Sequence, residues 1–201
     1  TKGGATQFSR TITALRNSDE RLLVEVLIPD FKGSHEALET VLSARPAVVN
    51  HNIETVPRLY QQLRPQGGYE WAIGLLKRAK SFSPDTPTKS GLMLGLGERN
   101  EEVVAVLQDL RRVGCDIVTL GQYVRPSLDH HPVQRYLTPE EFAWFESCGK
   151  AMGFSCIAAG PLVRSSFMAE SCYARVSVSS TCAQRIPAVA EDHPNARKDA
   201  F

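Results

Sequence analysis

Cysteine is sparse, and the five present, Cys115, Cys148, Cys156, Cys172 and Cys182, never fall two or three residues apart. No zinc or iron-sulfur motif can be written with them. So scattered a set reads as small buried or surface thiols in a reducing compartment. An excess of charge of either sign is also lacking: 23 Lys plus Arg stand against 22 Asp plus Glu, a formal net charge of +1. That balance gives no electrostatic reason to expect nucleic acid or an anionic membrane as partner. No apolar run approaches the length that crosses a bilayer, and the first residues lack the features of a signal peptide. A soluble, intracellular protein is expected. An initiating Met is missing as well: the chain opens at Thr1, with Gly3-Gly4-Ala5 directly before an expected helix, and this abrupt start suggests a piece of something longer.

What is present is the composition of one ordinary folded domain, 42% hydrophobic and 22% charged over 201 residues. Short β-branched runs alternate with amphipathic stretches. Phe8 to Arg16 reads as a helix, and Leu22 to Ile28 is a nearly continuous apolar run, the pattern of a buried parallel strand. Ser34 caps a helix with Ala37, Leu38, Val41 and Leu42 on one face, followed by a strand over Ala47 to Asn50. A helix over Tyr69 to Phe82 carries Ile73, Leu76 and Ala79 on a stripe, and Thr88 to Leu96 is the next strand. Glu101 to Val113 turns Val103, Val104, Leu107 and Leu110 inward, with Gly114 as its stop and Asp116 to Leu120 as a strand. Thr138-Pro139-Glu140-Glu141 has the cap, first-turn proline and returning carboxylate of a helix start, that helix runs through Gly149, and Cys156 to Ala158 is the last strand. The alternation predicts an α/β fold with a parallel sheet covered by helices, either barrel or open sheet. From Ser171 onward there is no clear period, and residues 171–201 read as a loosely ordered tail after a 1–170 domain.

In parallel sheets function collects beyond the carboxyl ends of the strands. Those ends carry Asn50-His51-Asn52-Ile53-Glu54, Gly95-Leu96-Gly97-Glu98, Gly121-Gln122-Tyr123 and Gly160 through Ser166. Asn50 and Glu54 can hold the polar groups of a cofactor, although the same residues suit a strand-to-helix turn. Gly91 and Gly95 stand where a backbone can approach a flat ligand closely, or where a strand bends at a crowded corner. The stretch is neither a phosphate loop nor a dinucleotide fingerprint. An inward Lys89 needs an anionic partner, either a ligand carboxylate or Glu54. Arg164-Ser165-Ser166-Phe167 offers a guanidinium and two hydroxyls on a loop at the same rim.

Seven strings in one register carry a resemblance. They are Gly3-Gly4-Ala5, Val24 through Phe31, His51 through Pro57, Lys89 through Glu98, Gly121-Gln122-Tyr123, Arg135 through Glu140, and Gly160 through Ser166. Together, from Gly3 to about Glu170, they resemble lipoyl synthase of the radical S-adenosylmethionine superfamily. The resemblance implies a partial parallel (β/α) barrel, truncated at its N-terminal side, from an enzyme that inserts two sulfur atoms at C6 and C8 of a protein-bound octanoyl group. It implies S-adenosyl-L-methionine and two four-iron four-sulfur (4Fe-4S) clusters as cofactors, with the cluster-binding cysteines absent from this chain. It places Asn50, Glu54, Lys89, Gly91, Gly95 and Glu98 around the cofactor, makes Ser166 a ligand of the auxiliary cluster, and gives Arg164 the role of orienting the serine loop beside the substrate. Phe167 departs from the family's usual Tyr, and Cys172 and Cys182 are not substitute ligands.

The implied partners are octanoylated lipoyl carrier domains or the glycine cleavage H protein, with ferredoxin or flavodoxin as electron donor, and neither nucleic acid nor membrane. The implied compartment is the bacterial cytoplasm, or a mitochondrion or plastid in a eukaryote. This chain alone is expected to be inactive, since one serine cannot replace cysteine thiolates. Two alternatives stand beside this reading: a non-catalytic remnant that binds a carrier domain, and an aldolase-like barrel with Lys89 as Schiff base.

Overall fold

The computed structural model describes residues 3–183, with side chains to residue 177. The elements are α1 (Ala5–Ser18), β1 (Glu25–Leu27), α2 (His35–Ser43), β2 (Val48–Asn50), α3 (Pro57–Leu63), α4 (Tyr69–Phe82), β3 (Thr88–Leu94), α5 (Asn100–Arg112), β4 (Ile117–Gln122), α6 (Pro139–Ala151), β5 (Cys156–Gly160) and α7 (Ala169–Ala183). The five strands run parallel in the order β1-β2-β3-β4-β5. The sheet does not close on itself, so the α/β reading and the partial parallel barrel both hold. Among the described residues no helix is long and apolar enough to cross a membrane.

Local chemistry explains most boundaries. The Ser34 hydroxyl accepts from the Ala37 N–H at 3.2 Å, and α2 then buries Ala37, Leu38, Val41 and Leu42, the stripe expected from spacing. At α6, Thr138 and Glu141 form the reciprocal cap, with Pro139 in the first turn. In α5 the buried residues are Val103, Val106, Leu107 and Leu110, so Val106 takes the inward place assigned to Val104. In α4 they include Ala72 and Leu75, while Ile73 is only half buried. Both differences arise because a 3.6-residue period rotates a stripe slowly around the helix.

The first strand is shorter than its apolar run. Only Glu25–Leu27 pairs, against Val48–Asn50 of β2, and Leu22 and Leu23 stay exposed at this sheet edge. Two helices are additional to the expected set. α3 is seven residues long and buries only Leu59 and Tyr60, too few for a period to show. α7 runs through the first part of the presumed tail; residues 184–201 lie outside the described residues.

Alternation along the strands separates two faces. Val26 and Val49 pack with α1, α2 and α4, while Leu92, Leu94, Val118, Leu120 and Ile157 pack with α3 to α6. These residues form the outer face. Val48, Ile117 and Cys156 point the other way and meet Cys172 and Val176 of α7. That inner face is the one a barrel turns toward its axis.

Candidate functional site

The inner face is polar in layers. Near the start of the strands, Lys89 is fully buried and its Nζ lies 2.9 and 3.1 Å from the Glu25 carboxylate oxygens. Asn50 donates to the same carboxylate at 3.2 Å, and its own Oδ1 is buried with no partner among the described residues. The anion that Lys89 requires is therefore Glu25, and Glu54 lies elsewhere. The signal for this was a single charge, Glu25, inside an otherwise apolar strand. An ammonium held so is not the accessible free amine that a Schiff base requires.

One layer further along, Asn52 reaches across the sheet. Its Nδ2 donates to Ser165 Oγ at 3.1 Å and to Glu54 Oε1 at 3.4 Å. Gly91 lies beneath it: a Cβ there would come within 2.9 Å of Asn52 Oδ1 and 2.8 Å of Thr119 Oγ1. The glycine thus serves the passage of a side chain across the sheet. Glu54 is held in the left-handed region at φ 68 by backbone bonds to β3, its N–H to the Gly91 carbonyl and its carbonyl from the Met93 N–H. A non-glycine residue pinned in that region is strained, and such strain clusters at functional sites. Arg64 Nη1 stands 3.7 Å from the Glu54 carboxylate, yet desolvation dominates and raises that carboxyl above its ordinary value. His51 is shifted the other way, its pKa lowered by burial, with the Nδ1–H donating to the Ile28 carbonyl at 2.9 Å.

Two cavities open beyond the strands. One of about 230 Å³ is lined by Asn52, Glu54, Gly91, Thr119, Arg164 and Ser165, among others. A larger one of about 620 Å³ is lined by residues including Glu54, Arg64, Leu96, Tyr123 and His131. The second has the size of a small-molecule site, about 300–1,000 Å³. Glu54 belongs to both.

The remaining predicted residues divide. The Glu98 carboxylate accepts from the N–H groups of Gly95 and Leu96 at 2.6 and 2.8 Å, so it closes its own turn. Gly95, at φ 98, makes that turn, and a Cβ on it would strike Gln122 Nε2 and the Arg135 carbonyl. Arg164 Nη1 donates to the Val163 and Pro161 carbonyls at 2.6 and 3.4 Å, bracing the serine loop. On that loop Ser165 faces Asn52, and Ser166 is exposed. Asn52 and Ser165 lay within the candidate strings without an assigned role, and Arg64 joined the site only through the fold.

The cysteines correct an expectation. Cys156 and Cys172 are joined as a disulfide, so these two are not free thiols. Cys115 is a buried free thiol whose pKa burial pushes up to about 12, and Cys148 is partly exposed. Cys182 lies outside the described side chains. Among the described residues no group of three or more His, Cys, Asp or Glu could hold a metal ion. Among the described residues the donors do not by themselves fit an iron-sulfur cluster.

Polar side chains gathered on the inner rim of an open parallel sheet define the site of a partial parallel α/β barrel. Solved structures agree on the fold. A domain of pyruvate-formate lyase-activating enzyme from Bacteroides vulgatus matches with a TM-score of 0.58 at 11% identity, over 80% of this chain and 96% of that one. Methylornithine synthase matches with a TM-score of 0.55 at 11% identity, over 87% of this chain and 62% of the other. No protein-family model matches the chain. In sequence the chain is similar to lipoyl synthases. It is 51% identical to the lipoyl synthase of Caldanaerobacter subterraneus over 168 residues, 84% of this chain and 59% of the relative. It is 53% identical to that of Syntrophotalea carbinolica and 50% identical to that of Escherichia coli, again over 84% of this chain, and 55% and 53% of those relatives. The chain spans little more than half the length of the curated relatives it matches.

Proposed function

We propose that this chain is the portion of a lipoyl synthase that supplies the inner wall of the cofactor and substrate cavity and the serine loop. The observation that carries this is identity of about 50% sustained over 84% of the chain. The parent reaction is radical S-adenosylmethionine-dependent insertion of sulfur at C6 and C8 of an octanoyl group carried on a lipoyl domain or on the glycine cleavage H protein, with ferredoxin or flavodoxin as electron donor. The larger cavity, with Glu54 and Arg64 at its wall and Leu96 and Tyr123 as apolar surface, is the place for the nucleoside cofactor. When bound, S-adenosylmethionine supplies the radical precursor. Glu54 orients polar groups there, Asn52 lines the adjoining smaller cavity, and the Asn52–Ser165 contact sets the serine loop at its mouth. The exposed Ser166 is free to act as a cluster ligand when cysteines from elsewhere complete the set. Alone, these residues assemble no cluster.

Exchange of segments tests the reading. Residues 3–170 would replace the matching segment of the Escherichia coli relative in a strain that lacks its own enzyme and depends on added lipoate. Growth without lipoate is expected, with loss on Ser166→Ala. A chimera that accumulates in folded form and gives no lipoylated protein would overturn the assignment. For the isolated chain, anaerobic treatment with iron and sulfide should yield no stoichiometric four-iron species.

A further inference from the structure

Cys156 opens β5 on the inner face, and Cys172 lies on α7 one turn after its start. Both are buried, at 4% and 2% exposure, and their Cα atoms are 5.4 Å apart, within the range that a disulfide spans. The bond closes a segment with a sequence separation of 16, and that segment contains the whole serine loop. Within it, Val163 is buried, Leu162 is 83% exposed, and Met168 is held at φ 49 where the loop enters α7.

The described apolar contacts of α7 are Cys172 and Val176, with Tyr173 beside them, against Val48, Ile117 and Cys156. A cavity of about 390 Å³ lies between its first turn and the β1 edge, lined by Leu22, Leu23, Glu25 and Tyr173 among others. A helix with a void beneath its first turn has a place from which to open locally.

We propose that the Cys156–Cys172 cystine is a reducible latch that fixes α7 across the inner face and, through it, holds the serine loop with Ser165 against Asn52. A dithiol reductant opens it: one thiolate attacks a cystine sulfur, a mixed disulfide forms, and the second thiol resolves it. Two electrons and two protons leave two protein thiols and the oxidised reductant. Buried sulfurs can be attacked only when α7 lifts, so reduction follows the local opening of that helix. Once the bond is broken, the loop loses its covalent tie to β5 through α7 and keeps the buried Val163, its backbone turns, the Arg164 brace and the Asn52 contact. This inference rests on the chain's own cystine and stands apart from the proposed reaction.

The exposed Arg164 gives trypsin a cleavage point inside the closed segment. Purified full chain, with and without dithiothreitol, would be digested briefly and the peptides mapped by mass spectrometry. Oxidised protein should show the Cys156 and Cys172 peptides linked, and reduction should speed cleavage after Arg164 at least tenfold while cleavage after the buried Lys89 stays slow. Cys172→Ser should be fast without reductant, and Cys148→Ser should match the wild type. Equal cleavage rates at Arg164 in both redox states would overturn the latch. So would free alkylation of Cys156 in the oxidised protein, linkage of Cys156 to Cys182, or acceleration at Lys89 equal to that at Arg164, which marks global unfolding.

Discussion

Removing either member of the Glu25–Lys89 pair should be costly, and unequally so. Lys89 is fully buried, whereas the Glu25 side chain keeps 19% of its surface exposed. At 2.9 Å the gross attraction is about 6 kcal/mol for an effective dielectric near 20, most of it offset by desolvation of the two groups. Lys89→Met leaves a carboxylate that Asn50 still donates to and that water can reach. Its cost should fall below the range for breaking a buried pair, at about 2 kcal/mol. Glu25→Leu leaves an uncompensated buried ammonium and should cost about 3–5 kcal/mol. The double variant replaces both charges with apolar groups and should lie within about 1 kcal/mol of the wild type, since such exchanges are often neutral or better. Urea unfolding of the four proteins at constant pH, followed by far-ultraviolet circular dichroism, gives the cycle. Two single variants within about 0.5 kcal/mol of the wild type, the size of ordinary surface substitutions, would refute the reasoning. So would a double variant as unstable as the sum of the singles.

Two titrations near the rim should pull stability in opposite directions. Burial lowers the His51 pKa, so below its ordinary value of 6.5 the unfolded chain takes up a proton that the folded chain refuses, and stability falls with pH; His51→Gln should remove that part of the slope, and an unchanged slope between pH 7.5 and 5.5 would count against it. Burial raises the Glu54 carboxyl, so the folded chain holds its proton to higher pH and stability declines as pH rises above the ordinary 4.5; Glu54→Gln should stabilise at pH 7, with a gain that vanishes toward pH 4.5 in the same urea titration. Gly91→Ala should cost about 1–3 kcal/mol through crowding of Asn52 and Thr119. Adding Thr119→Ala should recover part of that loss, and no recovery would place the clash elsewhere.

The legible part of this fold is the part written in local chemistry. α4 begins and ends where its spacing and the following Pro84 put it, and α6 starts at the Thr138 cap. The parallel sheet follows from alternation, whereas the strand order β1-β2-β3-β4-β5 was supplied by the structure. What was hidden depends on residues far apart in the chain. Asn52 meets Ser165 across 113 residues, and Lys89 meets Glu25 across 64. Neither sequence neighbourhood specifies the other. The cystine was hidden because a spacing of 16 residues matches no metal or redox motif. It becomes a pair only once α7 folds back over β5. Glu98 shows a short-range bond that the string alone did not reveal: its carboxylate accepts from the N–H groups of Gly95 and Leu96 in its own turn.

The position of the cavity follows from the register of the inner face without appeal to any relative. Lys89, Ile117 and Cys156 form one row across β3, β4 and β5; α7 covers Ile117 and Cys156, and Glu25 pairs with Lys89. The next row is Gly91, Thr119 and Ala158, and the one beyond it is Met93, Gly121 and Gly160. From the first row to the second the side chains shrink, so the space between the sheet and whatever faces it widens toward the carboxyl ends. In the third row the serine loop takes the space that Gly121 leaves, since a Cβ there would come within 2.2 Å of the Val163 carbonyl. The lower row can therefore be filled and sealed while the rim stays open to a ligand. A bulkier side chain in the second row would close the cavity and spare the core behind it, whereas a smaller one at Ile117 would strike the packing that joins α7 to the sheet. Chemistry and stability are assigned to different rows of the same strands.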